Sequence, residues 1–444
     1  MAHNGRSGCS KRPALYGYHR DNWFWEISNC FSSANVNASA AAGGTASPSV
    51  AIITMPEPPL CRRGYSVIST AATGVCMVSS DPHPLPIVRD RSLMNSSPAR
   101  DTQRRAFLSG ADFAGSHLVP MQQDASFRRY FRLDGGEHGW LLMDAPPETE
   151  NLTAWLEIGR HLADLGLRAP AVMHSDVRNG FALIEDFGDQ TFTRLLDSGE
   201  APETLYSQAT DLLTHLHRQP NAFLAALKPY NLDALMAEAI LLPDWFLPLI
   251  SGKPVAPEER DRYQEIWERV FTSLPTPAIS LVLRDFHVDN LMRLPGETPL
   301  QRIGLLDFQD ALIGPMAYDL MSLLEDARRD LPSALAEQMK QRYFEAMPLL
   351  EMENFNIWYR VLAAQRHCKV AGIFSRLALR DDKPLYLAHI PRVLGLLQAH
   401  LDEPLLRPLG DWLRAHGVVG NALEIPDDYR SVRRMLGLAD GTTD

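Results

Sequence analysis

Hydrophobic residues recur with a regular period only after about residue 100. The preceding region contains small-residue stretches such as 32–49 and sustains neither a helical nor a strand period, which is typical of a segment that cannot bury a core. Residues 1–100 are therefore predicted to be a disordered or mis-assigned N-terminal extension. Met94 offers an alternative start for the folded part.

From residue 101 to residue 188 the pattern alternates between helix and strand. It predicts a short helix over 101–113, two strands within 118–134 and a third strand over 139–146. A leucine stripe at helical spacing then predicts a helix that Gly166 ends: Leu152, Leu156, Leu162 and Leu165. Two further strand-like segments follow, so the predicted order is β-β-β-α-β-β.

After Pro202 the pattern is mainly helical, with predicted helices that include 316–329, 333–347, 356–377 and 390–400. Two short apolar runs interrupt it and look like strands, 281–283 and 303–306. Acidic residues follow both runs, so this region is expected to carry the chemistry of the protein.

The spacing of three polar residues after these runs predicts phosphoryl transfer. Asp285 and Asn290 are five residues apart, and Asp307 opens an Asp-Phe turn. The reaction requires a carboxylate that orients the attacking hydroxyl and oxygen ligands that hold Mg²⁺ on the phosphates. Asp285 is predicted to be catalytic, and Asn290 and Asp307 are predicted to be metal ligands. The alternative is a set of turn and cap residues in an Asp-rich loop.

The segment that contains these residues resembles the aminoglycoside phosphotransferase and choline-kinase-like branch of the kinase fold. The motif of that branch is HGDxxxxN followed by an IDF or IDW turn. This chain has Leu283 in place of the His and Arg284 in place of the Gly. The missing His is expected to affect support of the loop more than the chemistry.

This resemblance extends from about residue 101 to about residue 413 and implies an α+β, two-lobed protein-kinase-like fold. A small β-rich N-lobe over 101–187 is expected to bind the nucleotide. A larger, mostly helical C-lobe over 188–444 is expected to carry the catalytic and substrate-binding residues. The implied cofactors are ATP and Mg²⁺.

The family resemblance also places a hinge between the lobes, where the backbone binds adenine. Here the hinge is expected at Glu185, Asp186 and Phe187. Its side chains are weak signals, because a site that reads adenine through the backbone tolerates many residue types.

The expected phosphate loop, 122–132, contains no glycine. The amides of Ser126 and Phe127 and the guanidinium groups of Arg128 and Arg129 are predicted to contact the phosphates. The alternative is a plain turn with two solvated arginines.

The third strand lacks the Lys or Arg that the family usually has. Met143 or Asp144 stands there, and the expected acidic partner on the next helix is Glu157. Two acids cannot form the usual ion pair, so a cation must come from elsewhere, and Arg128 and Arg129 are the candidates. Without such a cation, the chain would be a nucleotide-binding pseudokinase.

Three residues of the C-lobe are predicted to contact the substrate. Trp245 could stack on a sugar ring, and Arg366 and Lys369 share one face of a helix and could bind an anionic group. The alternatives are a core aromatic residue and a solvated basic stripe.

Six motifs together narrow the resemblance to the anomeric N-acetylmuramate/N-acetylglucosamine kinase group of peptidoglycan recycling: MDAPPE, EDFGDQTF, LLPDWF, LRDFHVDNLM, LLDFQDALIGPMAYDL and QRHCKVAGIFSRL. This resemblance implies an ATP-dependent kinase that converts an amino sugar to its 1-phosphate. A phosphotransferase for another amino alcohol or for an aminoglycoside remains an alternative.

Composition limits the partners. The net charge of −11 argues against a general nucleic-acid binder. No run of 18 apolar residues occurs, so no membrane span is expected. Cys368 is the one cysteine after residue 76, which fits a cytoplasmic enzyme that acts on a small molecule.

One other class of enzyme matches part of the same loop. Asp285, His287 and Asp289 alternate in a pattern that could bind the metal of a hydrolase. That hypothesis gives Asn290 and Asp307 no role.

Overall fold

The computed structural model of the protein describes residues 98–121, 127–134, 139–224, 227–420, 425–426 and 428–438. All of them belong to the compact unit Val50–Asp444. The predicted extension, apart from its last three residues, lies outside the described residues, and so does Ser126.

A five-stranded antiparallel sheet forms the first part of the described fold, after helix α1, Pro98–Gly110. The spatial order is β1-β2-β3-β5-β4. The strands are β1 His117–Pro120, β2 Arg129–Asp134, β3 Trp140–Asp144, β4 Val172–Asp176 and β5 Phe181–Glu185. Helix α2, Leu152–Asp164, lies between β3 and β4 in the chain, so the predicted β-β-β-α-β-β order is confirmed.

The alternation of side chains along β3 gives each face of the sheet its own helix. Leu142 packs with Phe107 and Leu108 of α1. Leu141 and Met143 belong to the core that contains Trp155 and Ile158 of α2. Successive residues of β3 therefore face opposite sides of the sheet. The same alternation holds for the neighbouring strand β2.

The remainder of the described chain is mainly helical. Its helices are α3 Phe192–Asp197, α4 Pro202–His217, α5 Leu232–Ala239, α6 Leu247–Ser251, α7 Pro257–Thr272, α8 Ala317–Leu324, α9 Ser333–Ala346, α10 Met352–Asp381, α11 Ile390–His400, α12 Arg407–Ala415 and α13 Tyr429–Met435. Two short antiparallel strand pairs interrupt them, β6 Ile279–Val282 with β9 Leu312–Pro315 and β7 Leu291–Arg293 with β8 Ile303–Leu305.

Helix α10 is the central helix of this part, because it packs against α5, α8 and α11. Its buried residues occur on all sides over the middle turns, from Val361 to Ala371. Gly372 allows a close approach, since a Cβ there would lie 2.4 Å from the backbone of Leu241. Polar groups in this helix are therefore held inside the protein.

One helical stretch in the described part of the chain, Leu232–Ser251, is long and apolar enough to cross a membrane by length and composition. Core helices pass the same test, and this stretch contains α5, a π-helical turn over Leu242–Phe246 and α6. Phe246 and Leu249 are buried in the core that includes α10. The stretch is thus explained by packing within this fold.

Candidate active site

The catalytic loop follows β6 and is held by a buried carboxylate from α8. Asp319 accepts hydrogen bonds from the amides of Leu283, at 2.6 Å, and Arg284, at 2.9 Å. Burial raises the pKa of Asp319 to about 7, although the two amides oppose this effect. Arg284 has a left-handed backbone (φ 70°), an uncommon conformation that turns the chain sharply before Asp285.

Asn290 lies at the end of the same loop and is oriented by Asp285. Its Nδ2 donates a hydrogen bond to the backbone carbonyl of Asp285, at 2.9 Å. An amide whose nitrogen is used in this way presents its Oδ1 as the free acceptor. The backbone carbonyl of Asn290 accepts from the amide of Leu306 (3.0 Å), which brings the end of β8 beside the loop.

Asp307 follows β8 in a left-handed conformation (φ 56°). Its Oδ1 accepts from Arg128 Nη2 at 2.8 Å and from Gln309 Nε2 at 2.9 Å. Left-handed backbone conformations thus occur at Arg284, directly before Asp285, and at Asp307 itself. Backbone strain of this kind is common where a side chain must be aimed at a ligand.

Arg128 and Met143 line the same small cavity, so a cation lies close to the strand position that lacks the expected lysine. The guanidinium group is 8% exposed, and its Nε lies 3.4 Å from a carboxylate oxygen of Glu150. Glu150 also accepts a hydrogen bond from the amide of Phe127 at 3.1 Å. Arg128 and Glu150 thus form an ion pair of one cation and one acid, as the lysine and its acidic partner do in the family.

The prediction that Glu157 is the acidic partner is corrected, because this residue is exposed. Trp155 and Ile158 of α2 turn toward the sheet, so the position between them faces solvent. Asp144 is also turned away from the site, since it pairs with Arg100 of α1 at 2.6 Å. Met143 therefore marks the position of the family's lysine.

A cavity of about 1300 Å³ connects these groups. It is lined by ten of the predicted site residues: Phe127, Arg128, Glu185, Asp186, Phe187, Asp285, Asn290, Asp307, Arg366 and Lys369. The expected hinge residues thus border the same space as the catalytic loop. Residues that sequence analysis missed also line it, and these include Glu150, Gln309, Asp326 and Tyr386.

Two ion pairs hold the acidic side chains of the hinge segment. Arg168 contacts Glu185 at 2.5 Å, and Arg132 contacts Asp186 at 2.5 Å. The side chains of both hinge acids are therefore used by the protein. The amides of Glu185 and Asp186 also donate within the protein, to the carbonyls of Ala171 (2.8 Å) and Gly139 (2.7 Å).

Two predicted residues do not border the cavity. Arg129 pairs in register with Asp144, whose side chain faces α1, so the alternation of β2 turns Arg129 away from the site. Trp245 is half-buried and packs against the core that includes α10. Their predicted contacts with phosphate and sugar are corrected by these positions.

The alternative metal pattern of a hydrolase does not form a cluster. Within the described ranges, the three side chains of suitable type that converge are Glu325, His367 and His400, whose ligand atoms lie within 4.8 Å of one another. His367 Nε2 is 2.8 Å from the Glu325 carboxylate. Both histidines are hydrogen-bonded to the Glu325 carboxylate, and Asp285 is not among these residues.

Comparison with known proteins agrees with this geometry. Residues 117–352 match the model of the family described as "Phosphotransferase enzyme family". The chain is 36% identical over 305 residues to the N-acetylmuramate/N-acetylglucosamine kinase of Pseudomonas aeruginosa, covering 67% of this chain and 88% of that one. It is 35% identical over 309 residues to the enzyme of the same name from Pseudomonas putida, covering 67% and 87%.

Among solved structures, the chain is similar to a choline/ethanolamine kinase family protein from Mesorhizobium loti. That match has 14% identity and a TM-score of 0.48, and it covers 71% of this chain and 99% of the other. From the family match and the curated relatives, the chain belongs to the phosphotransferase enzyme family, has a protein-kinase-like fold and is a phosphotransferase enzyme.

Proposed function

We propose that the protein is an ATP-dependent kinase that phosphorylates the anomeric hydroxyl of N-acetylmuramate or N-acetylglucosamine. The names of the curated relatives support this acceptor. The observation that carries the proposal is the convergence of Asp285, Asn290 and Asp307 on one cavity bordered by the hinge segment. Peptidoglycan recycling in the cytoplasm is the setting in which such an enzyme would act.

In the proposed reaction, Asp285 orients the anomeric hydroxyl and accepts its proton as the sugar oxygen bonds to the γ-phosphorus of ATP. The bond between that phosphorus and the bridging oxygen breaks, and ADP leaves with the bond electrons. The products are the sugar 1-phosphate and ADP. Little covalent assistance is needed, so positioning of both substrates is the main task of the protein.

Asn290 and Asp307 would hold Mg²⁺. Their fit is supported by the oxygen ligands that they offer, since Asn290 already uses its amide nitrogen on Asp285 and Asp307 presents a half-exposed carboxylate. The bound ion would neutralise charge on the phosphates. Arg128 now contacts Asp307, and we propose that the same guanidinium group contacts phosphate oxygens in the nucleotide complex.

The two proposed lobes follow each other along the chain and have different roles. We propose residues 101–187 as the nucleotide-binding lobe, with the backbone of 185–187 against adenine, and residues 188–444 as the catalytic and acceptor-binding lobe. The pair formed by Arg128 and Glu150 favours a working enzyme over a pseudokinase, because a cation and its acidic partner are both present beside the cavity.

A product assay tests the proposal. The purified protein is incubated with Mg·ATP and one acceptor at a time: N-acetylmuramate, N-acetylglucosamine, choline or kanamycin. We expect ³¹P NMR to detect a sugar 1-phosphate with the two amino sugars. Phosphorylation of choline or kanamycin alone would replace the proposed acceptor, and ATP binding without any product would support the pseudokinase.

A further inference from the structure

Helix α10 presents two buried cations to the cavity, and they differ in what they contact. Arg366 is 6% exposed and Lys369 is 9% exposed, and both border the cavity one turn apart. A buried charge is costly unless a partner of opposite charge offsets it. The contacts of each cation therefore indicate what it does.

Lys369 is already paired within the protein. Its Nζ lies 2.8 Å from a carboxylate oxygen of Glu238 in α5. The same carboxylate accepts hydrogen bonds from Arg284, Tyr230 and Gln365. Glu238 thus neutralises the cationic groups beside the catalytic loop, and Lys369 belongs to the support of that loop.

Arg366 has neither a hydrogen bond nor an ion pair with any residue in the described part of the chain, and its Nη1 is wholly buried without a partner. The charge of Arg366 lowers the pKa of Asp319, so the two groups interact electrostatically. Both oxygens of the Asp319 carboxylate, however, already accept hydrogen bonds from amides of the catalytic loop. Arg366 is therefore a buried guanidinium group that the described protein leaves without an anion.

The position of Arg366 points to the acceptor rather than to the nucleotide. Its electrostatic neighbours are His287, Asp319 and His367, on the side of the catalytic loop. Arg128, at the proposed phosphate position, contacts Glu150, Asp307 and Gln309 instead. The two arginines share none of these neighbours.

We propose that Arg366 is a specificity-determining residue that binds the carboxylate of an acidic amino sugar. This inference rests on the proposed function, in which two acceptors differ by one group: N-acetylmuramate carries a lactyl carboxylate, and N-acetylglucosamine does not. A guanidinium group can bind a carboxylate through two parallel hydrogen bonds. Arg366 accordingly favours the carboxylated sugar and contributes nothing comparable to the neutral one.

The test compares Arg366→Ala and Arg366→Lys with the wild-type enzyme on both sugars. We expect Arg366→Ala to lower kcat/KM for N-acetylmuramate about ten-fold or more relative to N-acetylglucosamine, the range for loss of a charge-assisted hydrogen bond. The KM for ATP should stay the same. Arg366→Lys should recover part of the preference, because the charge remains while the paired geometry is lost.

A neutral substrate analogue separates carboxylate binding from a structural role. The wild-type enzyme should lose activity on the amide of N-acetylmuramate relative to the acid, whereas Arg366→Ala should treat the two alike. Arg380→Gln is the matched control, since Arg380 lies on the same helix, is exposed and pairs with the adjacent Asp381. It removes one positive charge from α10 and should leave the ratio between sugars unchanged.

Equal losses on both sugars with Arg366→Ala would overturn the inference and make the residue structural. A selective rise in the KM for ATP would overturn it in favour of phosphate binding. If Arg366→Ala fails to fold, the comparison of acid and amide in the Arg366→Lys variant decides the question. Absence of phosphorylation of either sugar by the wild-type enzyme would instead refute the proposed function, so the two failures are distinguishable.

Discussion

Asp285 and Asn290 show how few residues are needed to form a phosphotransferase loop. They are five positions apart in the chain and are joined by a hydrogen bond from the Asn290 side-chain amide to the Asp285 carbonyl. The side chain of Asp285 is half-buried and borders the cavity. We propose that its carboxylate contacts the acceptor and that the side-chain oxygen of Asn290 binds the metal.

Asp285→Asn should lower kcat by roughly 10²-fold or more, because the amide cannot accept the proton of the attacking hydroxyl. ATP binding should change little, since the nucleotide is expected to contact other residues. Steady-state kinetics and calorimetric titration with ATP measure the two effects. Weaker ATP binding with an unchanged chemical step would contradict the role of Asp285.

Asp307→Ala should abolish turnover and remove the dependence of nucleotide binding on magnesium, because it deletes one of the two proposed ligands. Nucleotide affinity measured across a magnesium titration provides the readout. Asp402→Asn, an exposed acid outside the cavity lining, is the control and should titrate as the wild type does. Normal activity of Asp307→Ala would eliminate the metal role.

Arg128→Ala should raise the KM for ATP about ten-fold or more, the effect of losing a charge-assisted hydrogen bond to phosphate. The KM for the sugar should change much less. Arg128→Lys should be intermediate, because lysine keeps the charge and loses the planar pair of donors. If both KM values rise equally, Arg128 supports the fold of the site and does not bind the nucleotide.

At the scale of elements, the catalytic loop is held by helices that are distant in sequence. Asp319 of α8 binds two of its amides, and Glu238 of α5 binds Arg284. Glu238 also pairs with Lys369 of α10, so one carboxylate joins α5, α10 and the loop. Burial raises the pKa of Glu238, but Lys369 and Arg284 outweigh burial and bring this pKa down to about 2.

Glu238→Gln should therefore destabilise the protein in a way that depends on pH. At pH 7 we expect a loss of roughly 3–5 kcal/mol in the free energy of unfolding, because Lys369 is left buried without its anion. A depressed pKa gives stability above the unfolded value, near 4.5, and this stability is lost as pH falls toward 2. Urea unfolding at steps between pH 7 and pH 3 should show the two proteins converging below about pH 4.5. A constant difference over this range would mean that Glu238 does not titrate as proposed.

At the scale of the whole molecule, the cavity is built from the sheet, the catalytic loop and α10. The described residues that line it begin at Val119, and the family match begins at residue 117. Every described residue of the cavity lining therefore follows the predicted extension.

A shortened chain that begins at Met94 should keep the activity of the full chain, because it retains α1 and every described residue of the cavity lining. The measurements are kcat/KM for both sugars and the midpoint of thermal unfolding, compared between the two chains. A large loss of activity or stability would show that residues 1–93 contribute to the folded enzyme.

Much of the fold could be predicted because its signals are local. The alternation of residues along β3 and the leucine stripe of α2 each depend on a few turns of backbone, and the structure confirms the predicted order of elements. The position of Trp245 could not be obtained in this way. An aromatic residue near a helix start suits a core and a sugar site equally, and only its packing against the core around α10 separates the two.

The sequence by itself determined the catalytic loop, since Asp285 and Asn290 are only five positions apart and the covalent chain keeps them close. Only the tertiary structure decided the partners of the cations. Arg128 meets Asp307 across 179 residues, and Lys369 meets Glu238 across 131 residues, while Arg366 one turn away meets neither an acid nor an acceptor in the described chain. The strength of an ion pair depends on the distance between the two charged groups and on how deeply they are buried, and tertiary packing sets both quantities. Spacing along a helix therefore predicted that Arg366 and Lys369 share a face. It did not predict that Lys369 would pair with Glu238 while Arg366 has no anionic partner among the described residues.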